Sequence, residues 1–150
     1  MAENLTAILS QKKNINWFPG HMAKAIRQVK EKIKLVDLIL EVRDARVALT
    51  SGNRFLDEII ANKPKLIVLN KSNLAEPENI QIWKTWFKNQ NQSFVFINAL
   101  NQKSIKAISS EARKMMQQKW DRYIKKQIKP PPLRMMIVGV PNTGKSTLIN

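Results

Sequence analysis

The sequence contains no cysteine, one histidine, and only 11 acidic residues against 26 lysines and arginines. Without cysteine, disulfides and thiolate nucleophiles are excluded, and a single histidine leaves almost nothing from which to build a zinc site. Magnesium held by oxygen ligands stays open. The shortage of acidic residues gives a formal net charge of +15. Such a field attracts polyanions, so RNA is the first candidate partner and an acidic membrane surface the second.

Long apolar segments are also missing. No uncharged stretch approaches the roughly 20 residues that span a bilayer, and the start, Met1-Ala-Glu-Asn-Leu5, has no basic region followed by an apolar run. We therefore predict a cytoplasmic protein without a membrane partner, and we do not expect an oligomer. With 150 residues, 43% of them hydrophobic, the chain can build one core of ordinary size. We predict an amino-terminal arm over residues 1–15 and one domain over residues 16–150.

Short apolar runs alternate with segments of helical periodicity. The runs predict four strands, at Val36–Val42, Lys65–Leu69, Ser93–Ile97 and Met135–Val138. Helices are predicted between them: a basic amphipathic helix from about Met22, then Arg54–Ala61, a helix starting near Pro77, and a long one over Lys103–Lys129. The long segment, with Arg134, carries ten cationic residues and only two acidic ones. This alternation predicts an α/β fold with a parallel sheet flanked by helices on both faces.

A phosphate-binding pattern, Gly139-x-x-x-x-Gly144-Lys145-Ser146, follows the last predicted strand. Its glycines let successive backbone N–H groups surround an anion, and the start of the next helix adds a positive dipole end. Lys145 would reach the outer phosphates and Ser146 would ligate Mg²⁺. The alternative is a glycine-rich turn before an ordinary helix. We predict phosphate binding by six residues: Asn142, Thr143, Gly144, Lys145, Ser146 and Thr147.

Other polar motifs also stand directly after predicted strands. They are Asp44-Ala45-Arg46, Asn70-Lys71-Ser72-Asn73 and Asn98-Ala99. Ligands of open parallel sheets bind beyond the carboxyl ends of the strands. One site could therefore collect all of these motifs together with the phosphate loop.

The order of these motifs resembles that of a known family. In small GTPases, Asn-Lys-x-Asp after a buried strand recognises guanine; here Asn70-Lys71-Ser72-Asn73 and Asn98-Ala99 precede the phosphate loop instead of following it. With the run Asn16–Met22 (Asn-Trp-Phe-Pro-Gly-His-Met) and Asp44-Ala45-Arg46, residues 14–150 resemble the circularly permuted GTPases, most closely the ribosome biogenesis GTPase A family. The resemblance implies a P-loop GTPase fold with permuted motif order, GTP or GDP and Mg²⁺ as ligands, and the large ribosomal subunit with its rRNA as partner.

The resemblance also implies roles for individual residues. Asn70 would hold the base, Lys71 would pack along the nucleotide, and Ala99, next to Asn98, would contact the guanine oxygen. Asn142 resembles the asparagine that helps ligate K⁺ in potassium-activated GTPases. His21 and Lys145 are the catalytic candidates: in this family a histidine placed as His21 orients the attacking water. From its position beside a turn and a helix start, His21 could equally cap or pack.

Two departures from the family pattern change the expected activity. Asn73 stands where the family has aspartate; an amide offers guanine one acceptor instead of a paired carboxylate and would suit xanthine, so we predict reduced guanine preference. The family continues past its phosphate loop with a switch threonine and Asp-x-x-Gly, which this sequence does not contain. We expect an incomplete fold with the phosphate-loop strand at an exposed edge, weak nucleotide binding and little hydrolysis. A non-hydrolysing RNA-binding protein with a vestigial nucleotide site is the alternative; an adenine-specific ATPase is disfavoured by the two Asn-containing motifs.

Overall fold

The computed structural model describes residues 20–60 and 62–150. Four parallel strands form one sheet in the order β3-β2-β1-β4, which confirms the predicted α/β fold. The strands are β1 (Leu38–Asp44), β2 (Lys65–Asn70), β3 (Ser93–Phe96) and β4 (Met135–Val138). The helices are α1 (Gly20–Ile33), α2 (Arg54–Ile60), α3 (Pro77–Asn89), α4 (Gln102–Lys125) and α5 (Lys145–Ile149). Short 3₁₀ turns follow β1 (Ala45–Val47) and β2 (Ser72–Leu74).

Both faces of the sheet are buried. Successive side chains of a strand point to opposite faces, and the two sets of β1 side chains pack in different clusters. On one face Leu40 lies with Ile108 and Ala112 of α4. On the other face Ile39 lies with Ile33 at the end of α1 and with the α2 residues Leu56 and Ile60. A third cluster surrounds Phe87 of α3, which packs with Ile67 and Leu69 of β2.

The register of the strands brings their carboxyl ends to one edge of the sheet. Asp44, the last residue of β1, pairs with Asn70, the last residue of β2. Val138 at the end of β4 pairs with Glu41, so the chain leaves β4 beside the last residues of β1. Gly139 follows, and a Cβ at this position would overlap the carbonyl oxygen of Val42. Glycine is therefore required where the phosphate loop leaves the sheet.

Two predicted boundaries were wrong by a few residues. The first strand begins at Leu38 and not at Val36, because Val36 N still donates to Ile33 O in the turn that ends α1. The long helix ends at Lys125 and does not reach Lys129. Gln127 adopts a positive φ of 56°, and Ile128 N donates to Tyr123 O, which closes the helix with a left-handed cap. Among the described helices, none is long and apolar enough to cross a membrane.

Candidate functional site

The phosphate loop connects β4 to α5 and is fixed from its inner side. Thr143 is only 2% exposed, and its hydroxyl donates to Val140 O at 3.0 Å. Gly144 has φ +90°, and a Cβ there would overlap Asn70 Nδ2. Lys145 Nζ donates to Val140 O at 2.7 Å, so its ammonium group lies over the loop. Ser146 and Thr147 are exposed in the first turn of α5.

The side-chain amide of Asn70 connects three loops at the edge of the sheet. Asn70 is 3% exposed, and its Nδ2 donates to Thr143 O at 2.9 Å. Its Oδ1 accepts from Ala99 N at 2.9 Å. One buried amide therefore joins the end of β2 to the phosphate loop and to the segment after β3. The Ala99 N–H that the resemblance assigns to guanine is bonded here to Asn70.

Lys71 reaches the phosphate loop from the other side. Its backbone is left-handed, with φ +60°, which directs the chain away from β2. Its Nζ donates to Asn142 O at 2.7 Å and lies 3.1 Å from Asp44 Oδ2. Asn142 also has a positive φ, of 65°. The ammonium group thus connects the end of β1 with the outer part of the phosphate loop.

Asp44 is held by the turn that follows β1. Its carboxylate accepts from Arg46 N and Nε, both at 3.0 Å, and from Nη2 at 2.7 Å. These bonds from Arg46, together with the nearby Lys71, outweigh burial and hold the pKa of the Asp44 carboxyl far below its ordinary range. The same contact raises the pKa of Arg46. The Asp44 carboxyl therefore stays ionised to a lower pH than an ordinary aspartate does.

A buried ion pair supports the loop between β1 and α2. Glu41 is fully buried and Arg43 nearly so, and two bonds join them, Nε to Oε1 at 3.0 Å and Nη2 to Oε2 at 2.9 Å. Burial alone would raise the pKa of Glu41, but the bonds from Arg43 and the charge of Lys65 3.1 Å away lower it. Arg43 Nη1 also donates to Ala48 O at 3.2 Å. A Cβ on Gly52 would lie 2.7 Å from Arg43 Cζ, so glycine makes room for the guanidinium group.

Two cavities adjoin the phosphate loop. The first, of about 230 Å³, lies between the ends of β2 and β3 and the start of α5. Its lining residues are Asn70, Lys71, Asn73, Leu74, Asn98, Ala99, Leu100, Gly144 and Thr147. The second, of about 300 Å³, lies between the Asp44–Ser51 loop and the phosphate loop. A flat ring could enter the first cavity while an attached chain of phosphates follows the loop from Gly144.

The structure brings nearly all of the predicted site residues to this one edge. Asn70, Lys71, Asn73, Asn98 and Ala99 surround the first cavity, with Asn142 to Thr147 beside them. His21 is the exception: its backbone is the second residue of α1, its side chain lies outside the described structure, and its catalytic role stays a prediction. The run Asn16–Pro19 also lies outside the described residues.

Metal binding at this edge would depend on few protein ligands. Within residues 20–60 and 62–150, no group of three or more histidine, cysteine, aspartate or glutamate side chains is placed to hold a metal ion. Mg²⁺ usually keeps several waters and binds through one or two protein oxygens together with substrate phosphates. The exposed hydroxyl of Ser146 fits that pattern.

The partners of the Asp44 motif were not predicted from the sequence. Asp44 was expected at a strand end, but neither its contact with Lys71 nor the Glu41–Arg43 pair beneath it was expected. A signal for the pair was present: two opposite charges stand two positions apart within an apolar strand, and such side chains share one face. Nothing in the linear sequence indicated the contact with Lys71, which depends on the register between β1 and β2.

The chain has a P-loop GTPase fold in which the segments Asn70–Asn73 and Asn98–Ala99 precede the phosphate loop. Ribosome biogenesis GTPase A from Priestia megaterium is 49% identical over 137 residues, 91% of this chain and 48% of that protein. The Bacillus cereus protein of the same name is 46% identical over 136 residues, 91% and 46% of the two chains. Over the matched residues the chain belongs to the ribosome biogenesis GTPase A family of circularly permuted GTPases. No family model matches it.

Further matches agree with this family. Mitochondrial ribosome-associated GTPase 1 of Mus musculus is 36% identical over 135 residues, 89% of this chain and 40% of that protein. The structure of GNP-bound YlqF from T. maritima superposes with a TM-score of 0.65 at 31% identity, covering 85% of this chain and 46% of that chain. The GDP-bound YlqF structure gives 0.63 at 30% identity, covering 83% and 46%. The chain spans about half the length, or somewhat less, of the curated relatives it matches.

Proposed function

We propose that this chain binds a guanine-type nucleotide between the Asn70 cavity and the phosphate loop. The Asn70 amide is the observation that supports this most strongly. An amide nitrogen has two hydrogens; Thr143 O accepts one, which leaves the other for an acceptor such as a purine ring nitrogen. The same side chain therefore fixes the phosphate loop and borders the base cavity. The GDP- and GNP-bound structural relatives support this assignment.

Phosphate binding would use the backbone amides from Asn142 to Thr147 and the ammonium group of Lys145. Lys145 Nζ would exchange its bond to Val140 O for phosphate oxygens. Mg²⁺, held by Ser146 and the phosphates, would neutralise their negative charge. Asn142 would help to hold K⁺, His21 would orient a water, and Lys145 would stabilise charge on the phosphates, although little hydrolysis is expected of this chain.

A binding measurement tests this proposal. Isothermal titration of the 150-residue chain with GDP, XDP and ADP should show binding of the first two in preference to ADP. Lys145→Ala should abolish binding or weaken it at least about tenfold, because a charged hydrogen bond is removed. Lys114→Ala is the matched control, since Lys114 is exposed and pairs with Glu111 on α4. Equal affinity for ADP would favour an ATPase, and equal binding by Lys145→Ala would contradict the site.

Asn73 would weaken the discrimination between guanine and xanthine. It borders the cavity next to Asn70, and its amide has one acceptor oxygen and a donor nitrogen. Guanine presents two neighbouring donors at its recognition edge, whereas xanthine presents a donor beside an acceptor. Asn73→Asp should therefore strengthen GDP binding and weaken XDP binding, each by about tenfold or more. A tight GDP affinity that Asn73→Asp does not change would contradict this hypothesis.

We further propose that the chain belongs to a GTPase that assists assembly of the large ribosomal subunit and that α4 presents an rRNA-binding surface. Seven exposed cations along α4 and the segment directly after it form this basic face, and none of them pairs with an acidic side chain within the described part of the chain. They are Lys103, Lys106, Arg113, Arg122, Lys125, Lys126 and Lys129. A run of unpaired cations suits a phosphate backbone, and affinity for it should fall steeply with salt.

A paired substitution tests the basic face. Arg122→Gln with Lys126→Gln should weaken binding of a labelled rRNA fragment about three- to tenfold and flatten its salt dependence. The matched control is Lys84→Gln with Lys88→Gln on α3, which packs on the opposite face of the sheet. Equal losses in both pairs would indicate a diffuse charge effect and contradict a specific surface on α4.

A further inference from the structure

We propose that Asp44 is a positioning residue for Lys71 and, through Lys71, for the phosphate loop. This inference rests on the proposed nucleotide site. Lys71 Nζ lies between two oxygens, Asp44 Oδ2 at 3.1 Å and Asn142 O at 2.7 Å. An ammonium group has three hydrogens, so one lysine can serve both oxygens at once.

Asp44 is fixed independently of Lys71. Arg46 donates three bonds to its carboxylate. Asp44 N donates to Ser51 Oγ at 3.0 Å, and the same hydroxyl donates to Val47 O at 2.7 Å. Asp44 also ends β1, where it pairs with Asn70 of β2. The carboxylate therefore has a defined position, and the longer, more flexible lysine adopts the conformation that meets it.

The environment makes this ion pair stronger than a typical surface pair. The Asp44 side chain is 9% exposed and that of Lys71 28%, so both charges are partly removed from water and their attraction is less screened. Lys71 also has a left-handed backbone, which is unfavourable for a lysine and is maintained only when surrounding contacts compensate. The contacts with Asp44 and Asn142 supply that compensation.

The consequence for nucleotide binding follows from the position of Asn142. Its carbonyl accepts from Lys71, and the amide groups that would face the phosphates come directly after it in the loop. Without the Asp44 carboxylate, the Lys71 ammonium would lose one of its two anchors, and the Asn142 peptide would be held less firmly. We expect faster release of the nucleotide, because a loosely held loop must be ordered each time it binds.

The experiment compares two variants that separate positioning from simple capping of the turn. Asp44→Asn keeps an oxygen that can accept from Arg46 N but removes the charge that Lys71 needs. Arg46→Gln removes the guanidinium contact and keeps the Asp44–Lys71 pair. Stopped-flow release of fluorescent GDP should be about tenfold faster in Asp44→Asn, the effect of losing one charge-assisted hydrogen bond. For Arg46→Gln we expect less than about a threefold change, as for a half-exposed ion pair.

A double-mutant cycle tests whether Asp44 acts on nucleotide release through Lys71. If Asp44 acts through Lys71, adding Asp44→Asn to Lys71→Gln should change the GDP release rate little beyond Lys71→Gln alone. Independent effects of the two substitutions would overturn the inference, as would unchanged release in Asp44→Asn. If the wild-type chain does not bind GDP, the proposed function fails and this inference fails with it. GDP binding by wild type with equal release by Asp44→Asn overturns the inference alone.

Thermal unfolding without nucleotide will show whether Asp44→Asn folds. If it does not, hydrogen exchange of Lys71→Gln decides the question, because Lys71 is the proposed link to the loop. The amides of Asn142, Thr143 and Gly144 should exchange at least about tenfold faster than in the wild type, while those of α3 should not change. Unchanged exchange in the phosphate loop would overturn the inference.

Discussion

Gly144 lies against the side-chain amide of Asn70, and a Cβ at position 144 would overlap the Asn70 Nδ2 atom. These residues belong to two different motifs, the phosphate loop and the segment Asn70–Asn73, which lie more than 70 residues apart in the sequence. The contact makes them one structural unit. A change on either side should therefore affect both halves of the proposed site.

Gly144→Ala should destabilise the fold and disrupt the site. The backbone at φ +90° is unfavourable for alanine, at about 1–3 kcal/mol, and the new methyl group must displace the Asn70 amide. We expect a loss of unfolding free energy of at least this size in urea, together with loss of GDP binding. Ser110→Ala on the exposed side of α4 should change the unfolding free energy by less than about 0.5 kcal/mol. Wild-type stability in Gly144→Ala would contradict the contact.

Asn70→Ala should lower the free energy of unfolding by more than its loss of contact area suggests. It leaves Thr143 O and Ala99 N without the partners they have now, and each buried unsatisfied group costs about 1–3 kcal/mol. Denaturant unfolding measures the sum. Asn98→Ala is the matched control, because Asn98 Oδ1 accepts from Leu100 N at an exposed turn. Similar losses for both variants would show that the Asn70 amide has no special role.

Glu41→Gln should be strongly destabilising, although Glu41 lines neither of the two cavities beside the phosphate loop. The substitution leaves Arg43 buried without a charged partner, and breaking a buried pair typically costs about 3–5 kcal/mol. Glu111→Gln removes an exposed pair with Lys114 and should cost less than about 1 kcal/mol. The difference in urea midpoint between the variants gives the comparison. If both change equally, the Glu41–Arg43 pair does not support the loop.

Stability should fall as the pH decreases below about 4.5. Burial raises the pKa of Glu41 and Asp37, but hydrogen bonds from Arg43 and Lys119 outweigh it, and the pKa of Asp44 is lowered mainly by Arg46. Their ordinary values are 4.5, 3.8 and 3.8. A carboxyl with a lowered folded pKa stabilises the fold above its ordinary value, and this stabilisation is lost as the pH falls toward the folded value.

Substitution of one carboxyl identifies its share of this pH dependence. In Asp37→Asn, the unfolding free energy measured between pH 5 and pH 3 should decline less steeply than in the wild type, because one linked proton is removed. Asp37 is suitable because its contacts, to Lys119 and Arg134, lie away from the phosphate loop. An unchanged slope would contradict the lowered pKa of Asp37.

The sequence predicted the layers of the fold well because the physical signals were local. Apolar runs such as Lys65–Leu69, and the four-residue spacing that puts Ile108 and Ala112 on one helix face, each depend on only a few neighbouring residues. Because each polar motif directly follows a strand, a parallel sheet was enough to predict that the motifs lie at one edge. The ends of elements were less predictable, since the left-handed cap at Gln127 has no strong sequence signal in a non-glycine residue.

The bonds within the site could not be predicted in the same way. The register of β1 against β2 sets the distance from Asp44 to Lys71, and the positive φ of Lys71 sets the direction of its side chain. Both depend on tertiary packing. The resemblance assigned Asn70 and Ala99 to the base, whereas in the structure they are bonded to each other. Their use in recognition stays a prediction.

Hydrogen exchange with and without GDP is the most direct test of the proposed nucleotide site, since it locates the nucleotide on the 150-residue chain. We predict that saturating GDP slows exchange at residues 139–147, with smaller effects at 70–74 and 98–100, and that Lys145→Ala abolishes these changes. Protection confined to other parts of the chain, or none at nucleotide concentrations that saturate binding, would contradict it.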